Sequence, residues 1–270
     1  MPKESRDPFP RGKRAPPNCF LSLRVSEPAI EDRLFTLQQQ FLGEGMDEEA
    51  ARAVDFAGVK RCLTSVRKMH ITLGVMNIKL GTYEEQDHAA AVLREAHETI
   101  VAPLVGNVPM RFILAGLGDF SGRVVFARPE ENEAARDSAA QILGEVGRRI
   151  HKLFPERGVA ITGLPTHPHV TVAKTSKSGG GAKRVKRLPD AVWHPHRHEF
   201  FGETLFDRLD LCRMVGAEED GYYRIVASVP FSSAPVDDRA YVSRAVDERL
   251  VKQRQDEARE ASEAAKSEQE

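Results

Sequence analysis

An α+β domain of two similar lobes facing one cleft is the fold this sequence predicts, on three observations. Short β-branched segments alternate with long segments whose apolar residues recur at helical spacing. Two of the short segments carry the same His-x-Thr pattern, one in each half of the chain and each near a long amphipathic stretch. The apolar segments fall between about residue 17 and residue 232, with polar sequence at either end.

The elements follow in order. Residues 19–25 (Cys-Phe-Leu-Ser-Leu-Arg-Val) read as a first strand, ended by Pro28. Residues 29–41 have one apolar helical face, Ile30, Leu34, Leu37 and Phe41. The stretch 54–59 fits helix and strand equally, whereas 69–76 (Met-His-Ile-Thr-Leu-Gly-Val-Met) is a strand bounded by polar residues. Residues 83–101 form a helix with Ala89, Val92, Leu93, Ala96 and Ile100 on one stripe, and Pro103 is expected to stop it. Strands at 110–114 and 123–127 flank a Gly-rich turn over 116–122. A second long helix spans 131–154, with Ile142, Val146, Ile150 and Leu153 inward.

The second His-x-Thr strand is 169–173, and 176–189, with its three successive glycines and five basic residues, reads as a mobile loop. Residues 206–214 and 222–231 close the domain as a strand pair around 218–221. Three regions result: a basic, Pro-rich disordered leader (1–16), the folded domain (17–232) and a charged helical or disordered tail (233–270).

Composition narrows the function classes. The net charge of −1 excludes coating of nucleic acid by bulk electrostatics, so any such contact must be local. Three cysteines, Cys19, Cys62 and Cys212, lack metal-ligand spacing and lie among apolar neighbours, as reduced core cysteines do. No stretch is apolar enough to span a bilayer, and a cytoplasmic or nuclear location is expected, Arg11, Lys13 and Arg14 being a candidate import patch.

In His70-Ile71-Thr72-Leu73 and His169-Val170-Thr171-Val172, alternation along a strand puts histidine and threonine on one face. The intervening apolar residues then point into the core. An imidazole exchanges protons near neutral pH, and a hydroxyl donates to a phosphate oxygen. With one pair on each side of a phosphate, one histidine takes a proton from the attacking oxygen and the other protonates the leaving oxygen. The threonines hold the phosphate in line. The scheme needs no metal or other cofactor. One His-x-Thr alone is a weak signal, because most strand histidines are merely satisfied by a neighbour; two in matching positions are a stronger one.

These paired motifs resemble the two-histidine (2H) phosphoesterase superfamily, which includes the 2′-5′ RNA ligase-like proteins. The resemblance is closest to the central, 2′,5′-phosphodiesterase-like domain of an A-kinase anchoring protein. It is carried by Asn18-Cys19-Phe20-Leu21-Ser22, both His-x-Thr strands, Gly118-Asp119-Phe120 with Val125-Phe126, Pro168 with Lys174 and Lys177, and Phe201-Gly202-Glu203. The final block is Arg208-Leu209-Asp210-Leu211-Cys212 with Asp220-Gly221-Tyr222-Tyr223. The resemblance implies a bilobal α+β fold with antiparallel sheets lining a cleft and helices outside. It also implies metal-independent phosphodiesterase activity on nucleotide or short RNA substrates, such as 2′-5′ oligoadenylate or a 2′,3′-cyclic phosphate, and binding of AMP-like nucleotides. Carried over residue by residue, His70 and His169 are the acid/base pair, in an order left open, and Thr72 and Thr171 the phosphate ligands. Lys174 is an accessory phosphate contact, and Phe126 is a candidate to stack a base, against its reading as a core aromatic.

The alternative is a nucleotide-binding scaffold without turnover, or a kinase-anchoring protein. Anchoring to a protein kinase A regulatory subunit needs an amphipathic helix near the C-terminus, and the tail offers only Tyr241, Val242, Ala245, Val246, Arg249 and Leu250 at helical spacing before charges dominate. The alternating His194, His196 and His198 are expected to be loop residues rather than metal ligands. The basic run 183–187 is a solvated loop that is also placed to attract an oligonucleotide.

Overall fold

A computed structural model describes residues 15–79, 83–106, 109–130, 139–164, 167–179 and 184–231. Residues 1–14 of the expected leader, 131–138 of the second long helix, the middle of the glycine loop and the tail from 232 onward lie outside the described residues.

Among the described residues, one curled antiparallel sheet contains β1 (Cys19–Arg24), β2 (His70–Met76), β3 (Met110–Asp119), β4 (Val124–Pro129), β5 (Ile161–Thr162), β6 (Val170–Lys174), β7 (Phe200–Phe206), β8 (Arg208–Arg213) and β9 (Ile225–Pro230). The strand order is β7-β3-β4-β6-β2-β1-β8-β9, with β5 paired to β2 outside that path. The lobes β7-β3-β4-β6 and β2-β1-β8-β9 meet where β6 pairs with β2, at Ile71 and Val170. Each His-x-Thr strand is thus the inner edge of its lobe. The lobes are not the two halves of the chain, because β8 and β9 return to complete the lobe that β1 and β2 begin.

The described helices are α1 (Pro28–Phe41), α2 (Glu48–Arg52), α3 (Phe56–Cys62), α4 (Tyr83–Ala96), α5 (Ala102–Val105), α6 (Gln141–Glu156) and α7 (Asp190–Trp193). Alternation along the strands sends Leu21, Leu23, Ile71, Leu73, Val170 and Val172 into one core with Leu34, Leu93, Val146, Ile150 and Phe154 of the helices. The His-x-Thr residues therefore occupy the opposite, concave face. Cys19, Cys62 and Cys212 are free and buried; burial raises all three thiols, Cys19 to about 11 and Cys212 to about 12.

Several elements differ from the sequence reading, each for a physical reason. The 54–59 segment leads into α3 from Phe56, whose start is capped by Asp55 accepting from the Gly58 N–H at 2.9 Å; Asp47 likewise caps α2. Pro103 does not stop the chain's helical course. A π-turn over His97–Val101 places it in the first turn of α5, where a missing N–H costs little. In α6 the fully buried stripe is Leu143, Val146, Gly147, Ile150 and Phe154, while Ile142 and Leu153 are half-buried at its edge. The strand β3 runs through the glycines to Asp119, leaving a tight turn at Phe120 to Arg123. Strand β7 has no clean alternation because Gly202, at φ +126°, interrupts it where a Cβ would meet Arg33 and Ile30. It is tied to the α1 start by Glu27, whose carboxylate accepts from the Thr204 hydroxyl and the Leu205 N–H, both at 2.7 Å.

Asn18, within the first matched stretch, has a structural role. Its side chain donates to the Ile78 carbonyl and accepts from the Ile78 N–H, prolonging the β1–β2 pairing. Ile71 is fully buried at the seam between the lobes. Ile71→Ala should cost about 2–5 kcal/mol of stability, read as a lowered midpoint in chemical denaturation.

Candidate active site

His70 opens β2, and His169 immediately precedes β6. The antiparallel pairing of Ile71 with Val170, continued one residue each way, sets His70 opposite Thr171 and Thr72 opposite His169. The strand alternation predicted from the motifs thus produces a near-symmetric group of two imidazoles and two hydroxyls on one face. The flanking registers extend this face: β1 sets Ser22 beside Thr72 and Arg24 beside His70, and β4 sets Phe126 beside Thr171.

Both imidazoles are oriented in the same way. Nδ1 of His70 lies 2.7 Å from the Lys68 carbonyl, and Nδ1 of His169 lies 2.9 Å from the His167 carbonyl. A carbonyl only accepts, so Nδ1 carries the proton in each ring, and Nε2 of the neutral ring is left as an acceptor. Burial pushes the His70 imidazole down to about 4. The Lys68 carbonyl opposes that fall, while Lys174, His169 and Lys177 add to it. His169 is also lowered from 6.5, first by burial.

Neither threonine hydroxyl and neither Nε2 hydrogen-bonds to protein among the described residues. Three lysines surround the His70 end. Lys174, at the end of β6, and Lys177, in the next turn, are both lowered chiefly by burial, and the Lys177 Nζ donates to the Leu63 carbonyl at 3.1 Å. The Lys68 Nζ lies 4.6 Å over the Tyr223 ring. None of the three pairs with a carboxylate among the described residues, so the cleft carries uncompensated positive charge suited to a phosphate.

Aromatic rings wall each imidazole. Phe126 and Phe120 lie 4.9 and 5.1 Å from the His169 ring and 4.5 Å from one another. Phe126 is only 8% exposed, so most of its surface supports the site from beneath; Phe120, 42% exposed, presents the open ring. Gly118 makes room for this stack, since a Cβ there would come within 2.7 Å of the Phe126 ring. At the other end Phe20 and Tyr223 flank His70 at 4.8 and 5.4 Å.

The site reading from sequence therefore lacked Phe20, Lys68, Phe120, Lys177 and Tyr223 as assigned members. The residues Phe20, Phe120, Lys177 and Tyr223 stand in matched segments, but spacing along the chain does not reveal which of them reach the cleft. The backbone partners of the two Nδ1 atoms leave no sequence signal, because any residue supplies a carbonyl.

Other candidates stay apart. His194 and His198 bond to the intervening Arg197 side chain, and no group of three or more His, Cys, Asp or Glu among the described residues is placed to hold a metal. The basic segment does approach the cleft rim: the Leu188 N–H donates to the Gly122 carbonyl at 2.7 Å, bringing Arg187 against the turn that carries Phe120.

The family described as the AKAP7 2′5′ RNA ligase-like domain matches residues 17–231. Human A-kinase anchor protein 7 isoform gamma is 27% identical over 216 residues, covering 79% of this chain and 57% of that protein. The chain therefore spans little more than half the length of this relative. Similar solved structures include Escherichia coli LigT complexed with NADP+, at TM-score 0.48 and 12% identity, covering 80% of this chain and 98% of that one. TT0787 of Thermus thermophilus has a TM-score of 0.47 and 19% identity, covering 80% and 100% respectively. The match across 17–231, holding both His-x-Thr strands and every described strand of the sheet, shows that this chain belongs to the AKAP7 2′5′ RNA ligase-like domain family.

Proposed function

We propose that the chain is a metal-independent phosphodiesterase acting on nucleotide or short RNA phosphodiesters, of the 2′-5′ oligoadenylate or 2′,3′-cyclic phosphate type. One observation carries this reading: two histidines with Nε2 unbonded and two threonines with unbonded hydroxyls converge, among the described residues, on one concave face across the β2–β6 seam. The cleft offers donors and cations to the phosphate and a proton acceptor to the reacting oxygen.

His70 is the imidazole more strongly held neutral, so it serves as the base. Its Nε2 takes the proton from the attacking oxygen, water or a ribose hydroxyl, as the new P–O bond forms. The His169 imidazolium gives its Nε2 proton to the leaving oxygen as the old P–O bond breaks. Thr72 and Thr171 donate to the non-bridging oxygens, and Lys174, with Lys177 and Lys68, offsets the phosphate charge. Phe120, backed by Phe126, offers the ring on which a base stacks.

A second reading, nucleotide binding coupled to kinase anchoring, is favoured by the similarity to the human A-kinase anchor protein. Its candidate residues in the tail lie outside the described residues. No helix among the described residues is long and apolar enough to cross a membrane.

In a cleavage assay on 2′-5′ and 3′-5′ oligonucleotides with a chelator present, the wild type should be active. His70→Ala and His169→Ala should each lower kcat/KM by about a thousand-fold. Activity surviving both substitutions, or binding of AMP with no cleavage of any of these substrates, overturns the phosphodiesterase reading. The pH dependence has a definite sign. His70 must be unprotonated, so kcat/KM rises as pH climbs through about 4. His169 must be protonated, so kcat/KM falls as pH climbs further through its midpoint, which burial holds below 6.5. The optimum therefore lies on the acid side of neutrality. Phe120→Ala should weaken nucleotide binding by about 1–3 kcal/mol while leaving the pH profile in place, read by titration calorimetry with AMP.

A further inference from the structure

The two histidines share a motif but not an environment. One flank of His169 faces the exposed Phe120. His70 instead belongs to a closed triangle of rings: Phe20 lies 4.8 Å away, Tyr223 meets it edge-on at 5.4 Å and 88°, and Phe20 and Tyr223 meet at 4.8 Å and 83°. Phe20 comes from the neighbouring strand β1. Tyr223 comes from the far end of the chain, in the connection between β8 and β9.

That connection is held at several points. The Asp220 carboxylate pairs with Arg24 at 2.6 Å, and its other oxygen accepts from the Tyr222 N–H at 2.9 Å. The Arg24 guanidinium lies 4.3 Å over the Tyr222 ring. Tyr222 is wholly buried, with its hydroxyl bonded to the equally buried Ser22. Gly221, at φ +86°, makes the turn, its N–H donating to the Glu218 carbonyl at 3.0 Å. With Tyr222 anchored into the sheet, the adjacent Tyr223 is delivered against Phe20 and His70. Lys68 joins both parts, its carbonyl accepting from His70 Nδ1 and its ammonium lying over the Tyr223 ring.

We propose that Tyr223 is a positioning residue for His70: held by the Arg24–Asp220 pair and the buried Tyr222, its ring walls one flank of the imidazole and excludes water, so that His70 meets substrate with Nε2 unprotonated. The use of this device rests on the phosphodiesterase reading above; the device itself is a property of the free protein. The charged and titratable groups around His70 are Lys68 from its own approach, Lys174 and Lys177 from β6 and the turn beyond, His169 across the seam, and the Arg24–Asp220 pair behind it. Burial outweighs the cations in lowering the His70 imidazole. Opening the ring triangle therefore rehydrates the imidazole and raises its titration midpoint even though the lysines stay.

The test is NMR titration of the imidazole signals in the substrate-free protein. The His70 midpoint is expected near pH 4 in the wild type and in Tyr223→Phe, which keeps the ring. In Tyr223→Ala it should rise by about one pH unit or more, with the His169 midpoint unmoved. Asp220→Asn leaves the ring in the chain but loosens its tether, and should move His70 in the same direction by less. That variant supplies the decision if Tyr223→Ala does not fold. An unmoved His70 midpoint in folded Tyr223→Ala, or failing that in Asp220→Asn, overturns the proposal, as does an equal shift of His169. Because no substrate is present, a wild type that cleaves nothing overturns the phosphodiesterase reading alone.

Discussion

The pairing of Ile71 with Val170 is the constraint on which the rest of the site depends. Among the described residues it is the only strand pairing that joins the two lobes, and it brings the inner edge strands together in one register. A slip of one residue in either strand would send its histidine and threonine into the core and its apolar partners into the cleft. The burial of Ile71, Leu73, Val170 and Val172 opposes that slip, since all four are fully enclosed on the far face. The same apolar packing that stabilises the sheet therefore fixes which groups line the cleft. The buried Gln38 of α1 donates to the Thr64 carbonyl at 2.6 Å, satisfying the backbone of the segment whose Thr64 N–H donates to the Val172 carbonyl of β6 at 2.8 Å.

From that symmetric seam the surroundings make the two ends unequal. The His169 end is carried by a tight turn, held by Asp119 accepting from the Gly122 N–H and by the Phe120 N–H donating to the Val124 carbonyl at 2.9 Å, and it presents an exposed ring beside basic residues. The His70 end is closed by residues from β1 and from the β8–β9 connection, and three lysines gather around it. A reaction that takes a proton on one side of a phosphate and gives one on the other needs its two groups in different protonation states. Different burial of two otherwise similar imidazoles is a direct physical route to that difference. The same cleft holds lysines that have no carboxylate partner among the described residues, so its positive charge meets little competition from the protein.

Much of this was legible in the sequence where a local rule is strong. The two His-x-Thr strands, the apolar face of α1 and the stripe of α4 follow from periodicity alone, and the matched segments pointed to the 2′5′ RNA ligase-like family and to a two-lobed sheet. Reading was weaker where tertiary contacts outweigh local preference. Strand β7 is interrupted by Gly202 and stabilised by Glu27 from a distant turn, and Pro103 is accommodated by a π-turn that no periodicity announces. Phe126 illustrates the limit within the site: its type and strand fit a base-stacking ring and a core aromatic alike, and the structure leaves that ring mostly covered while the neighbouring Phe120 presents the open surface.

What the sequence by itself determined was the chemistry: two imidazoles and two hydroxyls on like faces of two strands, because side-chain alternation along a strand is a local property. Which groups surround each histidine was decided by the tertiary structure alone. The lysines come from two distant places along the chain, the Nδ1 partners are backbone carbonyls with no side-chain signature, and Tyr223 lies 153 positions beyond the histidine it flanks. Burial, which sets the proton affinity of each imidazole, is a sum over all packed neighbours and exists only once the sheet has curled and the β8–β9 connection has been tied to Arg24.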